Sequence, residues 1–412
     1  MNDLGTGQST NLHPALQQFS FQLDNMPFFF ASPQGVRLTQ GVFAHIRETG
    51  NLAERVETAL LEAVMAGIRN PVVVGALPFL PDQPANLLIP RTHVEFSGHS
   101  MARHPLQKTV QHTHFNLRPY PQPQVYKDAV STALQHIERG ELSKVVLSRS
   151  LEIECEQPLD MPQVLSNLLQ ANSRGFTFAS PCPNHKGQRR FLMGASPELL
   201  VSRHGSRVYA NPLAGSVARS QNAEEDQRRA EALLQSPKDL HEHKLVIDMI
   251  AEALAPLCKN LLIPKKPSLV QTPTLWHLST EIHAQLKDPG TTSLQLAQAM
   301  HPTPAVCGYP TESARKLIDE LEPFDRGLFT GTVGWCDANG DGEWAVTIRC
   351  AEVENHRLRL FAGAGVVKGS DPQKELNETS TKLQTMLNAL GLIDEPEKTL
   401  LHRMKQVVEQ LP

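Results

Sequence analysis

The 412-residue chain lacks an excess of either charge: 39 Lys+Arg stand against 43 Asp+Glu, for a formal charge of −4. That balance argues against nucleic acid or an anionic lipid surface as the partner. A cysteine framework is absent too. Cys155, Cys182, Cys258, Cys307, Cys336 and Cys350 are scattered, with no C-x-x-C pair, and read as reduced thiols rather than as the staples of a small secreted domain. There is no long apolar run. Met1 to Leu23 is polar and mixed, and the cluster from Met26 to Ala31 is far shorter than a signal-peptide core or a membrane span. Internal repeats and low-complexity tracts are also missing. A cytoplasmic, small-molecule protein that needs neither membrane nor nucleic acid is the expectation, and a monomer suffices for it.

The chain is longer than one hydrophobic core usually supports, so two fused subdomains sharing a cleft are expected. Val72 to Phe79 and Leu358 to Val367 read as strands, whereas Leu52 to Ile68, Tyr126 to Glu138 and Pro237 to Leu257 carry apolar residues at helical spacing. The class is α/β. The proline-rich stretch Pro119-Tyr120-Pro121-Gln122-Pro123 is stiff enough to mark a boundary. This divides the chain into an N-terminal segment, 1–120, a catalytic region, 121–395, and a C-terminal helix, 396–412. All the chemistry-bearing segments follow the boundary.

Lys144 opens an apolar strand just after a helix that should end near Gly140. Partial burial there would lower its pKa and make it a general base; a solvated strand-edge lysine has the same local pattern. Glu198, in Gly194-Ala195-Ser196-Pro197-Glu198-Leu199-Leu200, lies between a proline turn and an apolar strand. Burial would raise its pKa and suit it to donate a proton, though a strand-edge glutamate in water fits the same spacing. Asn211 to Ser216 reads as a turn in which Gly215 lets a backbone amide approach a ligand, or as an ordinary hairpin connection.

His241-Glu242-His243 falls on a helix, where neighbours one and two apart point to different faces, so the three cannot form one compact zinc site. Asp371 is a plausible N-cap with Pro372 at the first helical position, which puts Glu375, Glu378 and Lys382 on one helical face. Such a stripe forms a solvated surface pair, or it supplies carboxylates to Mg²⁺ together with a second helix. The Phe361 to Ser370 segment combines strand and glycine-rich turn, leaving amides free to meet a carboxylate, and Arg349 lies in a strand of alternating character where it either grips a carboxylate bidentately or, as the commoner case, pairs with a neighbouring acid. Asp337 to Gly342 begins like a calcium loop but has Ile348 where a bidentate Glu is required; a hairpin turn explains it better.

In this order these segments resemble the chorismate-utilising enzymes, the family that includes anthranilate, aminodeoxychorismate, salicylate and isochorismate synthases. The likeness runs from about Lys144 to Lys382. It is most specific at Gly194 to Leu200, Asn211 to Ser216, His301 to Gly308, Glu322 to Trp335 and Phe361 to Lys382. It implies an α/β sandwich of two similar halves with the active site between them. It also implies roles: Lys144 as base for an attacking water, Glu198 as acid for a departing hydroxyl, and Glu242 and Glu378, with Glu375 nearby, as Mg²⁺ ligands. Gly215, Ser216, His277, Ala305, Arg349, Gly363 and Lys382 would contact chorismate.

Departures within the family point to one product. Anthranilate synthases carry Gln where Lys144 stands, aminodeoxychorismate synthases a nucleophilic Lys where Ala214 stands, and the amine-forming and salicylate-forming members usually Thr where Ala305 stands. The implied reaction is therefore water addition at ring carbon 2 with loss of the carbon 4 hydroxyl. The Glu322 to Arg326 and Gly334 to Asp337 segments resemble the catechol-siderophore branch, with menaquinone or salicylate supply as the alternatives.

Overall fold

The computed structural model describes residues 28–47, 49–97, 115–185 and 188–392; the expected helix over 396–412 lies outside them. The described residues contain eight α-helices: α1 (Leu52–Met65), α2 (Pro123–Glu138), α3 (Met161–Ala171), α4 (Ala223–Gln235), α5 (Pro237–Leu254), α6 (Ser293–Met300), α7 (Thr311–Leu321) and α8 (Pro372–Ala389). None of them is long and apolar enough to cross a membrane.

The strands form two antiparallel runs. In the first, neighbours follow the order Gly35–Ile46, Phe29–Ser32, Phe176–His185, Gln188–Ser196, Cys350–Glu354, Arg357–Val367, Lys144–Cys155 and Phe115–Tyr120. The second runs Val72–Leu77, Thr332–Asp337, Gly342–Val346, Leu199–His204, Arg207–Asn211, Ile282–Leu286 and Cys258–Leu262. Asn86–Ser97 pairs with a strand of each run and joins them. A separate three-stranded sheet holds Leu213–Ala218, Leu275–Ser279 and Ser268–Gln271.

Side chains of both runs, among them Phe30, Val74, Phe178, Leu192, Val333, Ala345 and Phe361, meet in one apolar layer. Helices cover the two outer faces: α1, α5 and α6 pack on the second run, and α3 and α8 on the first. This is an α/β sandwich of two halves, the architecture expected above. Strands from before residue 120 enter both runs, so chain order and spatial order differ on either side of the expected boundary.

Three local expectations need correction. Arg349 is not inside a strand: Thr347 to Arg349 interrupts the path between Gly342–Val346 and Cys350–Glu354, and Arg349 adopts φ +52°. Asn211 to Ser216 is not a turn. The chain continues from Arg207–Asn211 into Leu213–Ala218, passing from the large sheet to the small one, with a register shift between Leu213 and Ser216 and Gly215 at φ +79°. The glycines after Phe361 do not form an amide-presenting loop either. Gly363 and Gly365 stay in the ladder opposite Ser148 and Val146, and the turn is confined to Lys368 and Gly369.

The Asp337 to Gly342 segment is the turn of a hairpin, with Thr332–Asp337 and Gly342–Val346 paired. The α8 cap forms as expected: the Asp371 side chain accepts from the Lys374 amide, and Pro372 opens the helix. Ser236 and Pro237 begin α5 in the same way.

Candidate active site

On α5 the buried row at i, i+4 spacing is Glu242, Val246, Ile250 and Leu254. The apolar members fill the core, and the first member reaches a cavity between the two halves. On α8 the corresponding row is Glu375, Thr379, Leu383 and Leu387, with Glu378 and Lys382 one step round the helix. Two helix starts, one from each half, thus bring carboxylates to the same place.

The cavity is lined by Glu198, Glu242 and Glu378 and by all seven expected substrate-contact residues: Gly215, Ser216, His277, Ala305, Arg349, Gly363 and Lys382. Its apolar wall includes Val146, Phe329, Ile348 and Phe361. Lys144 and Glu375 are not part of the wall and stand just behind it. Lys144 is fully buried, with Nζ 2.9 Å from Glu242 Oε1 but with no acceptor in hydrogen-bond geometry. Glu375, 1% exposed, accepts from Lys238 Nζ at 2.9 Å. The expectation that Glu375, Glu378 and Lys382 act as one stripe holds only for the last two, which pair at 2.6 Å.

Electrostatics sort the carboxyls. Burial pushes Glu198 up to about 7, against the opposing pull of the Leu213 amide, Lys144, Arg349 and Lys382. Burial also raises Glu378, but Lys382, Ser216 and Lys238 outweigh it and hold this carboxylate below its ordinary value. Glu375 is raised by burial and by Glu378. Two carboxyls of one cavity are therefore shifted in opposite directions, Glu198 toward the protonated form and Glu378 toward the carboxylate, the pattern of an acid beside a charged ligand.

Burial, followed by Arg349 and Lys382, pushes His277 well below its ordinary value, so its ring is neutral. Arg349 Nη2 lies 3.4 Å from His277 Nε2; arginine can only donate, so that nitrogen is the acceptor and the proton resides on Nδ1. Burial lowers Arg349 to about 10, and it keeps its charge at neutral pH. Ser216 Oγ donates to Glu378 Oε1 at 3.0 Å and Lys382 Nζ to the Gly363 carbonyl at 2.8 Å, so the anion-facing groups are held before any ligand arrives.

Sequence reasoning missed Gly365. A Cβ there would lie 2.3 Å from Glu242 Oε1 and 3.1 Å from Lys144 Cε, so the bare backbone is what admits the Glu242 and Lys144 side chains. The signal available was its two-residue spacing from Gly363, which puts both on one face of a strand. Lys238 was missed because its partner lies on another helix.

Among the described residues no group of three or more His, Cys, Asp or Glu side chains is close enough to hold a metal unaided. The donors still fit a hard divalent cation, because Glu242 and Glu378 present only oxygen to the cavity, and Mg²⁺ commonly takes one or two carboxylates with substrate and water completing its shell.

A chorismate binding enzyme family model matches residues 83–391, three-quarters of the chain. The chain belongs to the chorismate binding enzyme family. Within that family it is 50% identical over 374 residues to isochorismate synthase DhbC of Bacillus subtilis, covering 89% of this chain and 94% of the relative. It is 46% identical to the vibriobactin-specific isochorismate synthase of Vibrio cholerae, with 90% and 93% covered. The crystal structure of DhbC from Bacillus anthracis superposes with TM-score 0.86 at 47% identity, covering 92% of this chain and 98% of that one. Anthranilate synthase component I of Streptococcus pneumoniae shares the fold at TM-score 0.70 and 19% identity, with 92% and 100% covered.

Proposed function

We infer that the protein is an isochorismate synthase of the siderophore branch, adding water to ring carbon 2 of chorismate and releasing the carbon 4 hydroxyl. The observation that carries the reading is Glu198, a carboxyl held near pKa 7 in the same cavity as a charged Glu378, Arg349 and Lys382. A group of that kind protonates a departing hydroxyl at neutral pH, a step that a mere binding site does not need.

In this reading Lys144 is the base that takes a proton from water, acting from behind Glu242. Arg349, Lys382, the Ser216 hydroxyl and the backbone at Gly215 hold the two carboxylates of chorismate, and the Gly363 carbonyl holds Lys382 in place. Neutral His277 and small Ala305 bound the ring. Glu242 and Glu378, with Glu375 supporting them, hold Mg²⁺, which when bound supplies charge stabilisation at a substrate carboxylate. Six buried, unpaired cysteines support a reducing compartment such as the cytoplasm.

The siderophore assignment draws on the 46–50% identity to the DhbC and vibriobactin-specific enzymes. Likeness to isochorismate synthase MenF of Bacillus subtilis is lower, at 38% identity over 64% of this chain. Chromatographic analysis of the products formed from chorismate and Mg²⁺ tests the activity. Isochorismate without pyruvate is expected; salicylate with stoichiometric pyruvate would make the protein a salicylate synthase instead.

A further inference from the structure

Behind the cavity wall, Glu322 and Arg326 form an ion pair whose side chains are only 3% and 2% exposed. Arg326 Nε donates to Glu322 Oε2 at 2.8 Å and Nη2 to Oε1 at 2.5 Å. The remaining donors do not face solvent. Nη2 reaches the Val146 carbonyl at 2.7 Å, and Nη1 reaches the Val306 carbonyl at 2.8 Å and Thr330 Oγ1 at 3.3 Å. All five N–H bonds of the guanidinium are thereby used. Glu322 Oε1 in turn accepts from the Ser148 amide at 2.7 Å.

Each anchor has a consequence in the cavity. Val146, Val306 and Thr330 all line it, Val146 stands two residues from Lys144, and Val306 follows Ala305. Thr330 is held at φ +59°, a conformation that a β-branched residue adopts only under constraint. Stability alone does not call for such an arrangement, since a buried ion pair is commonly replaceable by apolar residues of similar volume without loss.

We propose that the Glu322–Arg326 pair is a positioning clamp for the reaction, fixing the strand that begins at Lys144 against the Ala305 and Thr330 walls. The proposal rests on the functional reading above and adds two positioning residues to it. A displacement of the order of 1 Å in a reacting group costs about 100-fold in rate, so loss of the clamp should act on turnover rather than on binding.

The test pairs two variants. Glu322→Leu/Arg326→Met removes both charges together and strands neither, and Arg326→Lys keeps the charge but has three donors at one point in place of a five-donor fork. Melting is followed by circular dichroism, and kcat and KM are measured well below each midpoint. The clamp predicts folded variants whose kcat falls about 10- to 100-fold while KM for chorismate stays within about threefold. Wild-type kcat in either folded variant overturns it; if the double variant does not fold, Arg326→Lys carries the same expectation and the same refutation. Chorismate consumption is recorded beside product identity, so a wild-type product other than isochorismate faults the functional reading while the comparison of rates still decides the clamp.

Discussion

In the proposed reaction Lys144 and Glu198 divide the chemistry between two buried side chains of opposite character. Lys144 Nζ touches Glu242 without a directed hydrogen bond, so its donors are not committed elsewhere in the protein. Lys144→Ala should lower turnover by about 10²- to 10⁴-fold, the usual contribution of a general base, while calorimetric binding of chorismate with Mg²⁺ is retained. A variant with near-normal turnover would remove Lys144 from the mechanism. For Glu198 the signal is pH. With its carboxyl at about 7, kcat/KM should fall as pH rises through that value, because the ionised form cannot donate. Its folded pKa is above the ordinary 4.5, so the stability due to the protonated carboxyl is fully present below about 4.5 and is lost as pH rises through about 7. That loss is on the order of 3 kcal/mol. Glu198→Gln should abolish both the turnover and this pH-dependent loss in denaturant unfolding. A variant that still loses stability across the same window would place the titration on another group.

At the scale of elements, the site depends on how strands and helix starts are spaced. Gly365, in the Arg357–Val367 strand, leaves room for Glu242 and Lys144. The three atoms nearest a Cβ added there belong to the Glu242 carboxyl and to Lys144 Cε, side chains rather than backbone, so Gly365→Ala should fold with a near-normal melting midpoint. Because Glu242 must move, Mg²⁺ binding in calorimetry should weaken at least about tenfold, the cost of losing about 1.4 kcal/mol of ligand geometry. Unchanged Mg²⁺ affinity would mean that Glu242 is not a ligand. The sequence shows part of this directly. The i, i+4 rows of α5 and α8 and the Asp371 cap are local patterns, and they place Glu242, Glu378 and Lys382 on the correct helices. What local pattern does not carry is pairing at a distance. The partners of Glu242 and Glu375 are Lys144 and Lys238, from elements that periodicity cannot relate to them. The break at Arg349 is equally invisible, since its positive φ is imposed where one strand ends and the next joins a different neighbour.

Over the whole molecule, two antiparallel runs joined by Asn86–Ser97 bring segments distant in the chain onto one cavity. Length and alternation foretell two halves, but not that residues before 120 enter both, because strand order in a sheet is a tertiary property. The assembly brings Glu242 of α5 and Glu378 of α8 to one cavity, and in the proposed reading this pair of carboxylates would hold a hard cation. Excess chelator should therefore arrest turnover and added Mg²⁺ restore it, with Glu378→Gln needing far more Mg²⁺ for half-maximal rate; full turnover in chelator would contradict the metal assignment. The central claim is that solvent water, activated in this cavity, becomes the new hydroxyl of the product. Turnover of chorismate with Mg²⁺ in oxygen-18 water, followed by mass spectrometry of the product, tests it most directly. The account predicts isochorismate carrying the label at ring carbon 2; isochorismate without label, or a different product, would contradict it.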